Sequence, residues 1–136
     1  MPEKKIVLPF GSWRSPIKAS LIAEGTPKNP LSEIILENHQ VFWIEARPSE
    51  NGRNVIVRKK ANNPPEDILP KGFNARNNVH EYGGGVYSVK NKIIYFTNWD
   101  DQRIHKIKDQ RIIPITPKTD PVGSVRYADL TVTPDG

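Results

Sequence analysis

His80-Glu81-Tyr82-Gly83-Gly84-Gly85-Val86-Tyr87, followed closely by Asn91-Lys92-Ile93-Ile94-Tyr95-Phe96-Thr97, decides how the rest of the chain is read. Three successive glycines permit backbone angles and close approaches that no residue with a side chain tolerates. They lead into Val86-Tyr87-Ser88-Val89, and the polar turn Lys90-Asn91-Lys92 starts a second apolar run. The pattern is a β-hairpin whose first strand opens on glycine. A flexible linker is the other reading of three glycines, but Tyr82 and Val86-Tyr87 on either side favour an ordered sheet element.

Working outward, the same plan occurs twice. Glu33–Glu37, Gln40–Glu45, Asn54–Arg58 and Asp67–Leu69 read as four short strands, with turn chemistry at Asn38-His39 and across Arg47–Gly52. Val86–Val89, Ile93–Thr97, Arg103–Ile107 and Ile112–Thr116 repeat them. Val41 and Ile93 sit at matching points, as do Pro70 and Pro117, which gives a period of about 50 residues with four strands in each unit. That spacing indicates propeller blades. The central runs Val41-Phe42-Trp43-Ile44 and Ile93-Ile94-Tyr95-Phe96 are apolar at every position and call for cover on both faces. A blade between two neighbours supplies that cover, whereas a two-layer sandwich leaves one face wet.

The expected fold is all-β: a partial propeller of about two and a half four-stranded antiparallel blades, preceded by a short N-terminal helix or irregular arm. Residues 1–31 form the arm, 32–72 the first blade, 73–119 the second and 120–136 the start of a third. In the arm, Ser15-Pro16 suits a helix start, with Ile17 and Leu21 on one face before Gly25-Thr26-Pro27. Ile17, Ala19, Leu21 and Ala23 also alternate as a strand would; helix is the reading taken. Tyr127–Thr133 is expected to be the first strand of the third unit, with Pro134-Asp135-Gly136 as its turn, so the chain reads as a fragment of a larger propeller.

Composition narrows the function. Of 136 residues, 36% are hydrophobic, and the 13 prolines fall mostly at the ends of apolar runs, as turn punctuation in an ordered chain with a modest core. There is no cysteine, which excludes disulfides and thiolate chemistry. No run approaches the roughly 18 apolar residues of a membrane span. Ile6-Val7-Leu8 is too short for a secretion signal, so a cytoplasmic location is expected. Net charge is +5, yet Arg58-Lys59-Lys60 is the only tight basic cluster and no nucleic-acid reading motif occurs, so no nucleic-acid or membrane partner is expected.

Gly11-Ser12-Trp13-Arg14-Ser15-Pro16-Ile17, Trp43 through Val55, Val79-His80-Glu81-Tyr82-Gly83-Gly84-Gly85 and Arg126-Tyr127-Ala128-Asp129 together resemble, in order and spacing, the N-terminal region of bacterial prolyl oligopeptidase family serine peptidases, the dipeptidyl aminopeptidase/acylaminoacyl-peptidase group. The resemblance covers essentially the whole chain. It implies a β-propeller that gates and positions peptides for a C-terminal α/β-hydrolase domain carrying a Ser-Asp-His triad, here absent. The chain alone is then non-catalytic, and its parent is a serine peptidase. The rival reading is a stand-alone propeller-like protein-interaction module. An unfinished ring with strands made for cover on both faces is also expected to self-associate, by exchange of Tyr127–Thr133.

The residues themselves agree that no catalytic set is present. No Gly-x-Ser-x-Gly elbow occurs. His39, His80 and His105 fall on a turn, a blade entry and an outer strand, with no reason to converge as a triad requires. No metal or other cofactor is expected: three scattered histidines fit no zinc spacing, and Asp100-Asp101 beside Asn98 reads as solvated loop carboxylates. The candidates for substrate gating are His80, Glu81, Glu45 and Arg47. Glu81 is suited to meet a peptide ammonium by a charge-assisted hydrogen bond; the alternative is that Glu81 and Tyr82 bond loop backbone and hold the glycine strand in place. Trp13, Trp43, Tyr82, Gly83, Gly84, Gly85, Tyr127 and Asp129 are assigned to structure.

Overall fold

Three two-residue hairpin turns set the register of the molecule. Asn38-His39, Asn91-Lys92 and Asp109-Gln110 all have φ between 49° and 65°, the left-handed pair whose twist matches that of antiparallel strands. Asn or Asp stands first in each, the residue types that adopt this region at least cost. In the computed structural model, which describes residues 7–12 and 31–133, these turns join β1 (Leu31–Glu37) to β2 (Gln40–Arg47), β5 (Tyr87–Lys90) to β6 (Ile93–Thr97), and β7 (Ile104–Lys108) to β8 (Arg111–Pro114). With β3 (Arg53–Lys60) and β4 (Glu66–Asp67), they make two four-stranded antiparallel sheets, ordered β1-β2-β3-β4 and β5-β6-β7-β8. Among the described residues the only helical elements are the two 3₁₀ turns Pro48–Glu50 and Val79–Glu81.

All eight expected strands are present, most within a residue or two of the expected bounds. The fourth is earlier than expected, at Glu66–Asp67, because Leu69 turns into the core while Ile68 N–H still bonds Ile56 O at 2.8 Å. The expected strand at Tyr127–Thr133 does not form. Asp129 takes φ 54° and turns the chain out of extended geometry, and its N–H bonds Gly85 O. The helix expected from Ser15, and Trp13 with it, lie outside the described residues.

Double-sided cover falls on a different strand from the one expected. In β2, Phe42 and Ile44 are buried while Val41 and Trp43 are half-buried, and β6 alternates likewise over Ile93–Phe96 before ending on the buried Thr97. β3 is the strand closed on both faces: Val55, Ile56 and Val57 are consecutive, so they point alternately to opposite faces, and each is at most 1% exposed. One apolar cluster runs from Phe42, Ile44 and β3 across to Tyr87, Val89, Ile94, Phe96 and Ile107 of the second sheet.

Two sets of bonds hold the sheets in their mutual setting. Along the β1/β5 side, Val86 N–H donates to the Glu33 carboxylate at 2.8 Å and the Tyr87 hydroxyl donates to Glu33 O at 2.6 Å. Asn91 N–H reaches the Glu37 carboxylate on the same side. A bulge in β1 between Ser32 and Ile35, with Glu33 at φ 50°, aims this carboxylate across the gap. At the loop ends, Asn74 stitches the sheets together: its Oδ1 accepts from Asn54 N–H, its N–H donates to Asn98 Oδ1, and its carbonyl accepts from Trp99 N–H.

Candidate functional site

The three residues of the glycine stretch have different reasons to be glycine. Gly83 has φ 82°. Gly84 and Gly85 do not need positive φ; they make room. A Cβ on Gly84 would lie 2.9 Å from Ala128 Cβ, and one on Gly85 would lie 2.9 Å from Asp129 Oδ1. The Asp129 carboxylate accepts Gly85 N–H at 2.9 Å and Asp129 N–H donates to Gly85 O at 2.8 Å. Two sequence motifs more than 40 residues apart, as the Gly85–Asp129 separation of 44 shows, are thus one contact in space.

The loop before the glycines is held by Asn77, which the sequence reading passed over. Its side chain is almost fully buried (Asn77 is 2% exposed); Oδ1 accepts from Val79 N–H and Gly84 N–H, and Nδ2 donates to Gly84 O and towards Thr97 Oγ1. Gln102 repeats the device, accepting Asn78 N–H and donating to Trp99 O. Nothing local to Asn74–Asn78 singles out Asn77; once buried, its amide must find backbone partners, and it does. His80 and Glu81, at φ 51° and 66°, form a left-handed hook that stands in water. Tyr82 is 96% exposed, and among the described residues the Glu81 side chain meets only Arg126, at 3.4 Å.

The Glu33 carboxyl belongs to the same junction. Burial pushes its pKa up, the Val86 N–H pulls it back, and the neighbouring Asp129 carboxylate adds to the rise.

Glu45 and Arg47, the other candidates, lie elsewhere, on the β2–β4 ladder. Arg47 holds Asp67 through two hydrogen bonds of 2.6 and 2.7 Å, with Glu50 at 3.4 Å and Glu45 at 3.7 Å. These carboxylates keep its guanidinium charged at any accessible pH. Arg53 bonds Glu50 at 2.7 Å and holds that carboxyl below the usual range, while Arg58 pairs with Glu66. Trp43 packs against the core. The structure does not bring this ladder together with His80 and Glu81 through any hydrogen bond or ion pair among the described residues.

His105 is buried, stacked on Phe96 with ring centroids 5.5 Å apart and edge-on to Phe73, and its Nε2 lies 3.5 Å from Asp101 Oδ2. Asp101 also accepts from Asn98 and from Arg103 N–H, so its oxygens close the β6–β7 loop. Trp99 supports the exposed Arg76 guanidinium, 4.4 Å above its ring. A groove of about 690 Å³ opens between the β3/β4 side of one sheet and the β6–β8 side of the other.

This arrangement matches part of a solved peptidase. The structure of a Mycobacterium tuberculosis puromycin-hydrolyzing peptidase superposes with a TM-score of 0.81 and 35% identity over 97% of this chain. The chain spans 20% of the length of that peptidase. No family model matches the sequence, and no curated protein matches it. Among the described residues no helix is long and apolar enough to cross a membrane.

Proposed function

We propose that the chain is part of the β-propeller of a serine peptidase of the prolyl oligopeptidase family. The first sheet is one blade (residues 32–72), the second sheet is the next (73–119), and residues 120–136 lead into a third. Its work is to gate and position peptides, leaving acyl transfer to an α/β-hydrolase domain elsewhere in the protein. The observation that carries this reading is the 35% identity across nearly the whole chain to one portion of a peptidase. The order of the two sheets supports it: the first strands β1 and β5 meet through Glu33 and Glu37, while a groove opens between the later strands, as wedge-shaped blades around an axis would require.

On this reading His80 and Glu81 are the residues placed to meet a peptide, being exposed on a loop held rigid from beneath by Asn77. Arg47 and Glu45, locked into the ladder with Asp67, act by shaping the β2–β3 loop. The test uses a fluorophosphonate probe and aminoacyl-anilide substrates on the 136-residue chain and on the product of the gene extended past codon 136. The extended product is expected to hydrolyse and be labelled, and the short chain to do neither. Stoichiometric labelling of a serine in the short chain, or a downstream frame without Gly-x-Ser-x-Gly, overturns the reading.

A further inference from the structure

We infer that the groove between the two sheets is a docking site for an acidic peptide segment carrying aliphatic side chains. At about 690 Å³ the groove falls within the size range of ligand sites. Its floor is aliphatic: Ile68, Leu69, Ile94, Ile107 and Ile112 line it, with Ile68 and Ile112 only partly buried and open to a partner. No aromatic ring lines the groove, so a base has nothing to stack on and nucleic acid is a poor fit.

The rim fixes the sign of the partner. The three arginines at the groove are each held by a carboxylate of the first sheet or its β2–β3 loop: Arg47 by Asp67, Arg53 by Glu50 and Arg58 by Glu66. Lys71 and Lys92 also line it, and neither has an ion-pair or hydrogen-bond partner among the described residues. Among the described residues Asp109, at the β7–β8 turn, is the one carboxylate of the lining with no ion pair, and it is suited to accept a backbone N–H of the bound segment. The uncommitted charge is therefore positive, on a chain that is itself +5. Exposed ion pairs are individually weak, so burial of aliphatic side chains supplies most of the binding while the lysines select the sign and speed the encounter. This site is distinct from the His80–Glu81 hook and does not depend on the peptidase reading, since it requires no hydrolysis.

Fluorescence anisotropy with a labelled peptide of alternating Leu and Asp tests it on the whole 136-residue chain. Saturable binding is expected, weakened by added salt and about tenfold by Lys71→Glu or Lys92→Glu. The matching Leu/Lys peptide is expected not to bind. Both substitutions are on exposed side chains, and unchanged melting temperatures would confirm that the variants are folded. Absence of binding overturns the proposal, as does equal binding of the Leu/Lys peptide or indifference to both substitutions. Displacement by a single-stranded oligonucleotide would overturn it in favour of a nucleic-acid site.

Discussion

Within six residues, His80-Glu81-Tyr82 and Gly83-Gly84-Gly85 do opposite things. The first three expose their side chains, at and just after the left-handed turn of His80-Glu81; the last three have none, and the chain closes around them. Ala128 and Asp129 lie within 2.9 Å of where the Cβ atoms of Gly84 and Gly85 would be, and Asn77 fastens the backbone at Val79 and Gly84, on either side of the hook. The difference teaches that a motif contiguous in sequence need not have one role. Its second half makes the structure that presents its first half.

The largest expected effect breaks the support common to both. Asn77→Ala leaves the Val79 and Gly84 N–H groups without their side-chain acceptor; each such loss costs roughly 1–3 kcal/mol, so a drop of about 2 kcal/mol or more in chemical denaturation is expected. Tyr82→Ala, in the water-facing half, is expected to change stability by less than about 0.5 kcal/mol. Equal losses from the two variants would mean that the hook is packed and not presented.

Gly84→Val sharpens the contrast between room and backbone freedom. Overpacking against Ala128 and Asp129 is expected to cost about 1–3 kcal/mol. Gly52→Ala meets nothing within 4 Å and carries only the strain of φ 71°, about 1 kcal/mol. Because the nearest obstacle to a Gly84 Cβ is the Ala128 methyl, Ala128→Gly is expected to recover part of the loss in Gly84→Ala. A double mutant no better than the single variant would show that the contact is not what limits residue 84.

The smallest effect probes the carboxyl that joins this region to β1. Burial raises the folded-state pKa of Glu33, so the folded state gains stability as Glu33 takes up its proton and loses it as pH rises through that pKa. Glu33→Gln keeps an acceptor for Val86 N–H and removes the charge. It is expected to match or slightly exceed the parent in melting temperature at neutral pH, with the gap closing as pH falls through the carboxylate range. Glu33→Ala lacks the acceptor and is expected to be less stable than Glu33→Gln at every pH. A Gln variant that is less stable than the parent at neutral pH would show that the charge itself holds the junction.

Most of the all-β architecture was legible because hairpin chemistry is local. Asn38-His39 and Asn91-Lys92 mark their own turns, and the apolar runs beside them have no other short-range solution. The repeat of four strands was legible for the same reason. The candidate site was legible only in part: the triple glycine announced a close contact but not with what, and Asn77, a single amide in a polar run, gave no sign of being nearly fully buried. Tyr127–Thr133 misled because its alternating pattern suits a strand, yet a strand also needs a partner in register, and Asp129 bonds Gly85 with both its backbone N–H and its carboxylate instead.

The sequence by itself determined the eight strands of the two sheets, the turns at Asn38-His39 and Asn91-Lys92 and the two-unit plan, since each depends on neighbours within a few residues. Tertiary structure alone decided that β3 is the strand covered on both faces, that Gly84 and Gly85 make room for Ala128 and Asp129, and that Arg47 is tied to Asp67. Those outcomes depend on which distant surfaces meet. Periodicity records that a residue is apolar or small, but not what will lie against it.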